Sequence, residues 1–223
     1  MKIKPLKEFD NIFFVDKKLA TVNLVSGQKV YGEDLVKSDN IEYRIWDYTR
    51  SKPAAAIKKG LKKFPLKEGM KVLYLGVASG TTASHFSDII GREGIIYGVD
   101  IAERVLRDLV RISEKRGNIV PILADSRKPE DYENTVLDKV DLVYCDVADP
   151  DQIKIIIRNS QKFLKSNGFA IIAIKSQSID VVKNPNEVYK ESLEELEKYF
   201  EVLDKIELNP YHKAHLFVVM KMK

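Results

Sequence analysis

Several side chains able to do chemistry stand at the ends of short apolar runs. Gly76 and Gly80 follow Lys71–Leu75, Asp100 follows Ile95–Val99, and Asp125 and Ser126 lie just past Ile119–Leu123. Asp146 follows Val140–Cys145, and Lys175 follows Phe169–Ile174. In an open α/β sheet such positions are the carboxyl ends of strands, where ligands bind. The Gly76-x-x-x-Gly80 turn, with Ala78 inside it, leads into Thr81 and Thr82 at a helix start. Backbone N–H groups there can hold the polar part of a ligand, although a turn that merely joins strand to helix has the same look. Asp100, 24 residues after Gly76, is placed to accept hydrogen bonds from ribose hydroxyls or to cap the next helix. Asp125 and Ser126 can meet the exocyclic amine of an adenine or cap a loop. A lysine that ends a core strand needs a carboxylate beside it. Asp146, on the neighbouring strand, is the obvious partner of Lys175, and a structural ion pair fits that pattern as well as a catalytic one. Lys52 precedes Pro53 at a helix start, where the dipole already makes the end positive. It is either a solvent-pointing lysine or a group for anion binding or catalysis. No metal-ligating set is expected.

These side chains need a scaffold, and the hydrophobic pattern supplies one. Apolar strands alternate with helices over Thr81–Ile90, Arg104–Arg116, Ile153–Leu164 and Val188–Phe200, which predicts a parallel, doubly wound sheet. In the second helix Val105, Leu109 and Ile112 share one face, and Gly168 is expected to end the third. Glu201–Leu208 and His215–Met220 have no helix-sized gap between them and predict an antiparallel pair at the sheet edge. Before the first helix, expected from Ser51 as N-cap to Phe64, the chain has only short apolar pieces. Ile12–Val15 and Leu19–Val25 flank a hairpin turn at Asp16-Lys17-Lys18, and Lys29–Gly32 adds a third strand. The expected organisation is a small β-rich appendage over residues 1–50 and an α/β domain over 51–223.

Composition narrows the function classes. Hydrophobic residues make up 44% and charged residues 31%, the balance of a globular chain. No apolar run approaches the roughly 20 residues of a membrane span, and the N-terminus shows no signal-peptide core. Cys145, the single cysteine, forms no internal disulfide, so an oxidising compartment is not implied, and a cytoplasmic location is expected. Charge is uneven: residues 1–70 carry a net +6 and residues 71–223 a net −2. The basic part, with Tyr43, Arg44, Trp46, Tyr48 and Arg50 close together, favours a polyanionic partner.

Five longer segments then add a family resemblance. YRIWDYTRSKPAAAI (43–57), VLYLGVASGTTASHFSDIIG (72–91), VLRDLVRISEKRGNIVPILADSRKP (105–129), DVADPDQ (146–152) and AIKSQSIDV (173–181) together resemble the archaeal fibrillarins, the methyltransferases of box C/D ribonucleoproteins. The resemblance implies a Rossmann-like sheet with an antiparallel edge strand. It implies an S-adenosyl-L-methionine (SAM) dependent enzyme that methylates ribose 2′-hydroxyls of rRNA and tRNA. It places the cofactor on Gly76, Ala78, Gly80, Thr81, Thr82, Asp100, Ile101, Asp125, Ser126, Asp146, Val147, Ala148, Asp149 and Gln152. It puts the catalytic groups on Lys52, Asp146, Lys175 and His215, with Lys175 as base, Asp146 orienting it and Lys52 supporting the alkoxide. The implied partners are a box C/D guide RNA, its target, a Nop-domain scaffold protein and a kink-turn-binding protein. Four positions depart from the family's habit: Asp149 stands for Gln, Asp100 for Glu, Pro53 for Leu and Ser126 for Ala. A stand-alone SAM methyltransferase of RNA or protein, and a scaffold subunit with a residual site, are the competing readings.

Overall fold

The computed structural model describes residues 1–223. Five short strands, β1 (Ile3–Pro5), β2 (Ile12–Val15), β3 (Lys18–Val22), β4 (Leu35–Ser38) and β5 (Ile41–Ile45), form an antiparallel sheet in the order β1-β2-β3-β5-β4. The β4–β5 hairpin was not expected. Asp39 and Asn40 both take positive φ, +49° and +65°, the backbone of a two-residue hairpin loop that aspartate and asparagine tolerate. Conversely, Lys29–Gly32 forms no strand. The Glu33 carboxylate accepts the N–H groups of Val30 and Tyr31, so those donors are not offered to a ladder. The second expected strand likewise stops at Val22.

Helix α1 spans Lys52–Lys58, shorter than the expected run to Phe64. Gly60, at φ +98°, turns the chain out of the helix, and Leu61 N–H closes back on Ala56 O, a glycine-terminated end. There follow β6 (Lys71–Leu75), α2 (Thr81–Ile90), β7 (Ile95–Asp100), α3 (Glu103–Arg116), β8 (Ile119–Leu123) and β9 (Val140–Cys145). Then come α4 (Gln152–Phe163), β10 (Leu164–Lys175), a short α5 (Ser176–Ile179), α6 (Pro185–Leu196), β11 (Phe200–Glu207) and β12 (His215–Met222). Gly168 lies inside β10 rather than ending α4, which stops at Phe163. Helix α6 begins three residues earlier than expected because Asn184 caps it, its side chain accepting from Asn186 N–H. It ends before Phe200, whose side chain is fully buried at the start of β11.

The large sheet has the order β11-β12-β10-β9-β6-β7-β8. Strands β8 to β10 run parallel, and β12 is antiparallel to both neighbours. The antiparallel strand therefore lies one position in from the edge. The chain winds outward from β6 to β8 and then returns to β9, so a switch point falls between β6 and β9. Ligand crevices open at such a point, and here it is flanked by Gly76, Asp100 and Asp146.

A charged cluster with no access to solvent ties the small sheet to the large one. Arg44 of β5 donates to Glu33 and Asp88, and Arg116 of α3 also donates to Asp88. All four side chains are at most 2% exposed. Thr21 Oγ1 donates to Asp88 at 2.7 Å and lies 2.8 Å from His85 Nδ1. That puts the imidazole proton on Nδ1 and leaves Nε2 to accept from Tyr31. Trp46 stacks on His85 at 5.0 Å and, with Phe9, Ile12 and Leu19, joins the apolar core of α1, α2 and the large sheet.

Burial holds His85 well below the ordinary histidine value, and Arg44 and Arg116 push the same way. An unfolded chain binds that proton below about pH 6.5 while the fold does not. Stability is therefore expected to fall on acidification through this range, by about 1.4 kcal/mol per pH unit for this one group. Urea unfolding at pH 7.5 and 5.5 measures the difference, and His85→Gln should reduce it.

Candidate functional site

Three side chains from distant parts of the chain meet where β9 and β10 end. Lys52 is the first residue of α1, and its Nζ donates to Asp146 Oδ2 at 2.9 Å. Lys175, last in β10, brings its Nζ to 2.9 Å from Asp146 Oδ1 and donates to the Asp146 carbonyl at 2.8 Å. The two amino groups thus face one carboxylate, each lysine side chain about one-sixth exposed. Burial alone would raise the Asp146 carboxyl, but the two ammonium groups outweigh it and hold it below its ordinary value. It is ionised throughout the neutral range. What it contributes to stability is lost only below about pH 4.

The local backbone explains how these groups are held. Ser51 is at the N-cap of α1, but its hydroxyl bonds Thr82 Oγ1 at 2.9 Å instead of capping the helix. This contact fixes the start of α1, and so Lys52, to the start of α2. Gln152, fully buried, accepts from Lys175 N–H and donates to the carbonyls of Asp149 and Lys175. It fastens the 146–151 loop to the end of β10. His215 is the direct partner of Lys175 across the β10–β12 ladder, which sets both side chains on one face. Its Nδ1 lies 2.6 Å from Lys213 O. Burial and the Lys52 charge lower it, and the Lys213 carbonyl works in the opposite direction.

Beside this cluster is a cleft of about 330 Å³. Gly76 forms its floor, with Ala78, Asp100 and Ile101 on one side and Asp125 and Ser126 on the next. Asp146, Val147, Ala148, Asp149 and Lys175 close it. Gly80, Thr81, Thr82 and Gln152 do not line it. Gly80 is the left-handed N-cap of α2, Thr82 holds Ser51, and Thr81 faces a different cavity. Gly76 has φ +75°, and a Cβ there would stand 2.9 Å from the Asp146 carbonyl. Gly76→Ala is therefore expected to displace Asp146, lowering activity more than tenfold and stability by about 1–3 kcal/mol. Activity assays with thermal unfolding check it.

Asp100 is fixed in advance. Its Oδ2 accepts from Ala78 N–H and its Oδ1 from Ala102 N–H, leaving each oxygen a further lone pair. Ile101, 64% exposed, puts an apolar side chain on the rim. Asp125 is less available than its strand-end position implied, because the Arg127 guanidinium binds both of its oxygens and lowers the carboxyl. Arg127 also reaches within 3.9 Å of Asp149. Sequence reasoning missed Arg127, whose signal is its spacing two residues after Asp125. It also missed His212, which lies 6.0 Å ring to ring from His215 and 3.1 Å from Tyr48 O. Burial and the Lys52 charge lower His212 too.

The Fibrillarin family model matches residues 3–223 of this chain. The chain belongs to the fibrillarin family. A fibrillarin-like rRNA/tRNA 2′-O-methyltransferase from Thermococcus onnurineus is 56% identical, covering 99% of this chain and 100% of its own. The crystal structure of Aeropyrum pernix fibrillarin with natively bound S-adenosyl-L-methionine superposes with a TM-score of 0.90 at 44% identity, covering 99% and 98% of the two chains. A fibrillarin from a fibrillarin/Nop5p complex gives 0.89 at 39% identity, over 96% and 99%. The fibrillarin resemblance read from five segments of sequence thus extends over the whole fold.

Proposed function

We propose that this chain transfers a methyl group from SAM to the 2′-hydroxyl of ribose in rRNA and tRNA, as the catalytic subunit of a guide-RNA particle. The observation that carries this reading is the convergence of Lys52 and Lys175 on Asp146 at the mouth of the cleft. A close relative is a 2′-O-methyltransferase by name, a similar structure holds SAM, and another is bound to Nop5p. SAM and a Nop-domain scaffold are accordingly the cofactor and partner assigned here. A box C/D guide, its paired target and a kink-turn-binding protein complete the particle. We also assign residues 1–50 to a small sheet domain and 51–223 to the methyltransferase domain, and place the protein in the cytoplasm. No helix is long and apolar enough to cross a membrane.

The residues present fit SAM. Asp100 offers oriented acceptors to a ribose, Ile101, Val147 and Ala148 offer apolar contact, and Asp149 suits a cationic ligand. SAM supplies an electrophilic methyl group on a sulfonium. Everything else falls to the chain. A ribose hydroxyl is a weak acid and must lose its proton as it attacks. Lys175, held on Asp146, is the base that takes that proton. Asp146 holds the Lys175 nitrogen and aligns it with the hydroxyl. Lys52 stabilises the oxygen as it becomes negative. His215, opposite Lys175, flanks the same face. The rest is alignment of the two reactants.

Reconstitution with the scaffold proteins and one guide RNA tests the reading. The expected result is 2′-O-methylation at the single programmed nucleotide, with little turnover by the chain alone. Equal turnover without guide would favour the stand-alone enzyme instead, and a failure to bind SAM would remove the enzymatic reading altogether.

A further inference from the structure

The glycine turn between β6 and α2 has a second cavity on its other side. It is larger, about 490 Å³, and shares no lining residue with the cleft. Its walls carry Lys29, Arg50, Arg111, Lys115 and Arg116 against one acid, Asp108. Those cations come from three separated segments, so their meeting is a product of the fold. Lys115 is held by Gln28, and Arg50 lies over the Tyr31 ring while donating to the Tyr31 carbonyl. Arg116 is 3% exposed and its Nη2 has no partner, although Nη1 is satisfied by Asp88 and Ser87.

Ser79 and Thr81 add the start of α2 to the same wall. This ten-residue helix has neither a side-chain cap nor an acid in its first turn, so its positive end is uncompensated. Arg111 is paired with Asp108 and Arg116 with Asp88, so Lys29, Arg50 and Lys115, the free Nη2 of Arg116 and an open helix start are what the cavity offers an anion. The cavity's position relative to the chemistry is fixed by covalent neighbours. Arg50 is two residues before Lys52, and Thr81 adjoins Thr82, which bonds Ser51 at 2.9 Å.

We propose that this cavity holds backbone phosphates of the RNA whose ribose the catalytic lysines meet. The proposal rests on the 2′-O-methyltransferase reading and adds to it a positioning surface separate from the SAM cleft. Phosphate contacts fix the register of a nucleic acid without reading its sequence, as a guide-directed enzyme requires.

Binding of the full-length chain to a guide–target RNA duplex, followed by fluorescence anisotropy over a salt series, tests the proposal. Arg111 and Lys115 are both exposed, so the paired variant Arg111→Gln/Lys115→Gln should fold. It is expected to bind duplex roughly tenfold more weakly, with a salt slope shallower by about 1 to 2. The charge-preserving pair Arg111→Lys/Lys115→Arg should restore both, and SAM affinity should stay unchanged throughout. Unchanged RNA affinity and slope would overturn the proposal, as would a failure of the unmodified chain to bind duplex. A mononucleotide or inorganic phosphate bound through Lys115, with RNA binding unaltered, would overturn the RNA assignment in favour of a free anion. Guide-programmed methylation by the reconstituted particle is scored separately, so the catalytic reading survives or fails independently.

Discussion

Lys175→Ala in the reconstituted particle is expected to lower single-turnover methylation by about 10²–10⁴-fold, the range over which a positioned general base acts. SAM affinity measured by calorimetry should change little. The reason is geometric. Lys175 Nζ is anchored 2.9 Å from Asp146 Oδ1 and on the Asp146 carbonyl, at the mouth of the cleft and not on its Asp100 side. Removing it leaves Lys52 to pair with Asp146 alone, so the carboxylate keeps a partner and the fold should hold. A variant that retained most of its rate would exclude Lys175 as base. One that lost SAM binding in proportion to rate would make Lys175 a binding residue instead.

The largest stability effect is expected far from the chemistry, at Asp88. Its two oxygens accept from Arg44, Arg116, Thr21 and the Leu24 N–H. Asp88→Ala leaves two guanidinium groups buried without that carboxylate. Breaking a buried pair in this way costs about 3–5 kcal/mol, and for a chain of this size each kcal/mol moves the midpoint by about 2–4 °C. A drop of roughly 6–20 °C in Tm is therefore the expected calorimetric result. A loss below about 1 kcal/mol would mean that water enters and solvates the arginines. Because this cluster joins the small sheet to α2, whose first turn holds Ser51, methylation should also weaken at temperatures below the new midpoint.

The central sheet was legible because each strand is a nearly unbroken apolar run that ends at a glycine, an acid or a lysine. Those terminal residues also line the candidate cleft, so Gly76, Asp100, Asp146 and Lys175 could be placed from the order of strands alone. The small sheet was only partly legible. Its register depends on Asp39 and Asn40 in left-handed conformations and on a Glu33 carboxylate gathering loop N–H groups, and neither leaves an alternating pattern. Helix ends slipped wherever a single glycine or asparagine decided the matter, as at Gly60 and Asn184. Thr81, Thr82 and Gln152 carried over as cofactor contacts by position. The fold gives Thr82 and Gln152 the task of holding Ser51 and Lys175 in place, and it turns Thr81 toward the basic cavity. Arg127 stands two residues after Asp125 in the sequence, but its approach to Asp149 follows only from a second loop folding beside it.

The most direct test of the account is Lys175→Arg, because arginine keeps the positive charge beside Asp146 but cannot act as a base at neutral pH. Single-turnover 2′-O-methylation at one programmed nucleotide should fall nearly as far as in Lys175→Ala, with SAM bound at its usual affinity. A rate within about tenfold of the unmodified enzyme would show that a cation at this position suffices, and that the ribose hydroxyl loses its proton elsewhere.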